Sequence, residues 1–127
     1  MNYPEDLKYT KEHQWIRVEG DVATIGITDF AQSELGDVVF VELPTEGMEV
    51  EQNNSFCVAE STKAASDVYA PVSGKIKEVN TLLSDDPSLL NTDPYQAGWI
   101  IKIVDFKVTD LDSLMDAAEY QSFTTSK

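Results

Sequence analysis

Short runs rich in β-branched and aromatic residues recur along this chain, and turn residues close each run before it can lengthen. Trp15-Ile16-Arg17-Val18 and Val22-Ala23-Thr24-Ile25-Gly26-Ile27 flank Glu19-Gly20-Asp21, a composition suited to a compact hairpin turn. Val38-Val39-Phe40-Val41-Glu42-Leu43 is the clearest strand and ends at Pro44-Thr45-Glu46-Gly47. Residues 55–60, 67–70 and 99–104 read the same way. Strands this short bury their apolar side only against other strands, so the expected fold is mainly β: two sheets in a sandwich or flattened barrel. At 127 residues, with no segment resembling a linker, the chain is expected to form one domain spanning 1–127.

Helices are expected at the periphery. Thr28 is a fitting N-cap for residues 29–35, Asp29 suits the positive end of the dipole, and Gly36 suits the position after the last turn. The run 82–91 is too turn-rich for a strand and leaves room for one helical turn started by Pro87. A C-terminal helix is predicted over about 109–121, with Thr109 as N-cap and Asp112 completing a capping box. Leu111, Leu114, Met115 and Ala118 would form its core-facing stripe, and residues 124–127 would fray. A faint echo links residues 43–50 to 70–77, each a strand, a Pro-x-x-Gly turn and a strand, as if two similar units packed about a pseudo-twofold axis.

Composition removes several function classes. A single cysteine, Cys57, allows no internal disulfide and no cysteine-based zinc cluster. Its apolar neighbours make it a small buried hydrophobe. With His13 the only histidine, any metal site would have to be built from carboxylates. A net charge of −14 repels phosphate, so nucleic-acid binding is excluded. The acids serve solubility, or steer the surface toward basic faces on partners. No apolar run is long enough for a membrane helix, and the first residues lack a basic region, an apolar signal core and a transit-peptide composition. A cytoplasmic monomer is expected.

One lysine stands apart. In Glu60-Ser61-Thr62-Lys63-Ala64-Ala65-Ser66-Asp67, Lys63 lies between two strand-like runs and among small side chains. Antiparallel pairing of those runs would put it at the turn, open to approach by another enzyme. An unperturbed lysine, with a pKa of about 10.4, is a poor nucleophile at neutral pH. Catalysis would need burial or cationic neighbours, and the charged neighbours here are the acids Glu60 and Asp67. Lys63 therefore reads as a residue to be modified rather than a catalyst. Acid–base catalysis by Glu60 and Asp67 would require a pocket that separates their pKa values, and nothing in the sequence indicates one.

This segment, with Pro71-Val72-Ser73-Gly74, resembles the lipoyl-attachment hairpin of the glycine cleavage system H proteins. The family usually has valine before the lysine; Thr62 keeps the β-branched shape. The resemblance extends to His13-Gln14-Trp15, residues 23–28 and 36–44, Pro94-Tyr95 and Gly98-Trp99. It implies a barrel-sandwich hybrid like that of lipoyl domains, and a carrier rather than an enzyme.

It also implies lipoic acid in amide linkage to Lys63, attached by a lipoate ligase or a lipoyl/octanoyl transferase. A pyridoxal-phosphate glycine decarboxylase would load an aminomethyl group onto the arm. An aminomethyltransferase would pass the one-carbon unit to tetrahydrofolate, and dihydrolipoyl dehydrogenase would reoxidise the dithiol. The loaded arm would shelter in a surface cleft, where the family has an acid between the His and Trp of the early motif. Gln14 stands there in this chain, uncharged but able to hydrogen-bond, and Asp67 is a second candidate. Lipoyl domains of 2-oxo-acid dehydrogenases usually have Asp before the lysine, and biotin carriers have Met on both sides; Thr62 and Ala64 fit neither. A lipoyl-relay protein of the same fold, donating its lipoyl groups to other complexes, is the alternative.

Overall fold

The computed structural model describes residues 2–125. In chain order the elements are β1 (Lys8–Tyr9), β2 (Gln14–Glu19), β3 (Val22–Ile27), α1 (Asp29–Leu35), β4 (Val38–Glu42), β5 (Glu49–Val50), β6 (Ser55–Ser61), β7 (Ala65–Tyr69) and β8 (Gly74–Val79). There follow α2 (Leu82–Asp85), α3 (Leu89–Thr92), β9 (Ile101–Val104), a 3-10 segment at Val108–Ser113 and α4 (Ala117–Thr125). The turn chemistry acts as the sequence suggests. Glu19 pairs with Val22, so Gly20 and Asp21 close the β2–β3 hairpin, with Gly20 at φ +62°. Thr28 caps α1 by accepting from the Ala31 amide at 3.2 Å, and the Gly36 amide donates to Gln32 O to end it.

The strands form two open antiparallel sheets, ordered β1-β2-β3-β9-β8-β5 and β4-β6-β7, as a sandwich requires. Ile25, Ile76 and Ile103 of the larger sheet meet Val41, Ala59 and Val68 of the smaller in one buried cluster. Each of these isoleucines and valines contributes about 1.5–3 kcal/mol through burial, and Ala59 less. The two units of the internal echo pair antiparallel, Glu49 with Lys75 and Val50 with Gly74, an arrangement with a local twofold.

A second cluster is aromatic. Tyr9 and Tyr120 stack at 4.7 Å, beside Trp15 and Tyr95. Trp15 lies so close to β3 that a Cβ on Gly26 would stand 2.8 Å from the indole, and its Nε1 donates to Pro94 O at 3.0 Å. The Tyr95 hydroxyl accepts from the Asp29 amide and donates to Asn2 O. Trp15 and Pro94-Tyr95, far apart in sequence, thus meet in space, at the start of α1.

The C-terminal region departs from the predicted helix over 109–121. Val108–Ser113 is 3-10, Leu114 is extended, and Met115 exchanges two backbone hydrogen bonds with Tyr9 before α4 begins. Tertiary bonds account for the break: Asp110 Oδ2 accepts from the Ser73 amide, and Gln52 Nε2 donates to Asp110 O and Ser113 Oγ. The capping box forms later, where Asp116 Oδ1 accepts from the Glu119 amide and Glu119 Oε1 from the Asp116 amide. Neither Thr109 nor Asp112 plays the predicted part. The stripe divides too: Leu111 and Leu114 pack on the main core, Met115 on the aromatic cluster, and Ala118 is exposed. Residues 82–91 hold α2 and the start of α3 rather than one turn, with Ser88 before α3. In the expected frayed tail, Thr124 and Thr125 are helical; Ser126 and Lys127 lie outside the described residues.

Candidate functional site

β6 and β7 form the hairpin anticipated around Lys63, with Glu60 opposite Ala65 at its end. Ser61 builds the tip. Its Oγ accepts from the Lys63 amide at 3.2 Å and the Ala64 amide at 3.0 Å, while its own amide donates to Ala64 O at 2.7 Å. The tip is anchored to its neighbour by the Thr62 amide, which donates to Asp37 O at 3.2 Å. Thr62, Lys63, Ala64 and Ala65 are all exposed. The lysine therefore presents its amine from an ordered turn with small side chains around it.

Of the other sequence-predicted site residues, Asp67 is exposed on β7, where it accepts from Ser55 Oγ at 2.9 Å. Gln14 is 2 % exposed. Its Oε1 accepts from Thr10 Oγ1 at 2.7 Å, and its Nε2 donates to Glu12 O at 2.8 Å. The loop that carries it is tied to α1 by the Thr28 amide, which donates to His13 O. Gln14 thus sits near the start of α1, and Lys63 lies beside Gly36 at its far end. The three residues do not form one contact cluster.

Cys57 is buried on β6. Burial foremost, then the Glu42 carboxylate, pushes its thiol up to about 12, which suits a packing role. Among the described residues, no group of three or more His, Cys, Asp or Glu side chains could hold a metal ion, and no helix is long and apolar enough to cross a membrane. Two residues beside the hairpin's tip were not singled out for the site from sequence. Gly36 read only as a helix terminator and Asn91 as one member of a turn-rich run, and no local pattern distinguishes either.

The family model described as "Glycine cleavage H-protein" matches residues 7–127. The chain belongs to that family. The glycine cleavage system H protein of Symbiobacterium thermophilum is 58 % identical over 97 % of this chain and 96 % of its own length. That of Anaeromyxobacter dehalogenans is 55 % identical over the same shares. The crystal structure of a glycine cleavage system H protein from Mycobacterium marinum superposes with a TM-score of 0.88, at 41 % identity, covering 97 % of this chain and 99 % of that one. The resemblance seen in the sequence is therefore a family relationship along nearly the whole chain, and the fold is that of the H proteins. This is the family of the lipoyl-carrying shuttle of glycine cleavage, and the relay alternative is not favoured.

Proposed function

We propose that the chain serves glycine cleavage as a carrier whose working group is a lipoyl amide on Lys63. The observation that carries this reading is the exposed lysine on a serine-ordered turn, in a chain of H-protein sequence. The site suits such a group. Small residues flank the amine and leave an attaching enzyme room, and the bonds from Ser61 and Asp37 keep the tip ordered while it is handled. Lipoate ligase or a lipoyl/octanoyl transferase would make the amide, removing the positive charge of the amine.

When attached, the lipoyl group supplies the dithiolane on which aminomethyl transfer and redox chemistry take place. The protein's part is to present, orient and shelter. A tether of this kind replaces free diffusion of an intermediate with a locally concentrated encounter. The proposed partners are the pyridoxal-phosphate glycine decarboxylase, the tetrahydrofolate-dependent aminomethyltransferase and dihydrolipoyl dehydrogenase. Asp67 and Gln14 are the proposed polar contacts for the arm. Asp67 is accessible at once, whereas Gln14 would have to exchange one of its bonds to Thr10 or Glu12. Residues 1–127 act as one lipoyl-carrier domain, working as a cytoplasmic monomer.

The test is intact mass with peptide mapping after expression with lipoate and a ligase. The expected result is one lipoyl amide, on Lys63, absent from Lys63→Arg. The purified holo-protein should then support glycine decarboxylase exchange. A Lys63 left unmodified under these conditions would sink the proposal.

A further inference from the structure

Lys63 lies against a seat instead of projecting freely. A methyl group built on Gly36 would stand 3.1 Å from the Lys63 Cε and 3.7 Å from its Cδ and Nζ, so the lysine stem rests against bare backbone. Gly36 also has φ +86° and ψ −163°, a conformation that side chains strongly disfavour. Backbone geometry requires glycine at this point, and the lysine stem uses the space that a side chain there would take.

The seat is gripped from behind. Asn91, on α3, donates through Nδ2 to Gly36 O at 2.8 Å and accepts through Oδ1 from the Val38 amide at 2.9 Å. The same Nδ2 lies 3.1 Å from Gln32 Oε1, tying in the last turn of α1. One amide side chain thus brackets Asp37, the residue whose carbonyl accepts from Thr62 immediately before Lys63.

We propose that Asn91 is a positioning residue for Lys63. It holds Gly36 to Val38 as a firm seat, which sets the direction in which the modified side chain leaves the surface. This inference rests on the reading that Lys63 carries the lipoyl group. Its physical content is preorganisation: a fixed root confines the tether to fewer orientations before a partner binds. If the seat loosens, a smaller fraction of molecules presents the arm correctly, and apparent affinity falls by that fraction while the chemistry at the partner is untouched.

Holo-proteins of wild type, Asn91→Leu, Asn91→Asp and Gly36→Ala, each verified as lipoylated by intact mass, would be compared in the glycine decarboxylase reaction. Gln52→Ala is the control. It removes bonds to Pro71 O, Asp110 O and Ser113 Oγ near the end of β6 remote from the tip. Asn91→Leu, which removes the bonds to Gly36 O and the Val38 amide, and Gly36→Ala, which strains the backbone, should each raise the KM for the carrier about three- to tenfold, with kcat nearly unchanged. Asn91→Asp keeps an acceptor for Val38 and should show a smaller rise. Amide exchange at Thr62, followed in the apo-proteins, should quicken in the seat variants and stay at the wild-type rate in Gln52→Ala. An unchanged KM with unchanged Thr62 exchange would overturn the proposal. So would an equal KM rise in Gln52→Ala, which would mark general softening. A wild-type protein that takes no lipoyl group at Lys63 would count instead against the carrier reading, and the apo-protein exchange would still judge the seat.

Discussion

Lys63 and Cys57 belong to the same hairpin, and their opposite exposure decides which of them is open to reagents. The lysine is at the tip, in water; the thiol faces the core with 4 % of its surface exposed. With its thiol pushed up to about 12, Cys57 supplies almost no thiolate at ordinary pH. Iodoacetamide should therefore label the native protein very slowly, at a rate that climbs about tenfold per pH unit and does not level off by pH 10. The same thiol in denaturant should react fast and level off above about pH 9; rapid labelling of the native protein that levels off there would contradict the burial. Both residues were legible in the sequence, because each stands in a local context that names its role: small residues around the amine, apolar ones around the thiol. The parts that Gly36 and Asn91 play beside Lys63 were not legible. They act through a contact between segments remote in sequence, which no local pattern encodes.

Elements fixed by their own turn residues came out as the sequence suggested, and those fixed by tertiary bonds did not. Thr28 with Gly36, and Gly20 with Asp21, carry their instructions within a few residues. The C-terminal region carries two competing sets. Thr109 and Asp112 resemble a capping box, but Asp110 is drawn to the Ser73 amide and Met115 to Tyr9, so the chain waits until Asp116 to begin its α-helix. Substitution separates the two sites. Asp116→Ala, which removes an acceptor for the Glu119 amide, should cost about 0.5–2 kcal/mol of stability in chemical denaturation. Asp112→Ala, at an exposed position with no capping role, should change stability by less than about 0.5 kcal/mol. Equal losses in the two variants would show that the helix start has been misplaced.

At the scale of the whole molecule, the aromatic cluster ties the two ends of the chain together and makes the fold sensitive to alkali. Tyr9, Tyr95 and Tyr120 are buried, and burial is the main cause that raises each phenol above its ordinary value, as it raises the Cys57 thiol. Each group ionises more readily in the unfolded chain, beginning near pH 9 for the thiol and pH 10 for the phenols. Above those values the folded state binds more protons than the unfolded state, so stability falls as pH rises. Their contribution is fully present below pH 9 and is lost on the way to the raised values. The net charge of −14 acts in the same direction, because each new anion joins a molecule that already repels itself. The urea midpoint should accordingly change little between pH 7 and 9, then drop steeply by pH 11. Added salt should recover part of the loss through screening, with a Debye length of about 10 Å at 0.1 M. Tyr120→Phe isolates one phenol: its hydroxyl lies 2.7 Å from both Thr28 Oγ1 and His13 Nδ1, so the variant should be less stable at pH 7. Its decline with alkali should nevertheless be shallower than that of the wild type. A midpoint that holds level between pH 9 and 11 would show that these groups do not govern the alkaline limit of the fold.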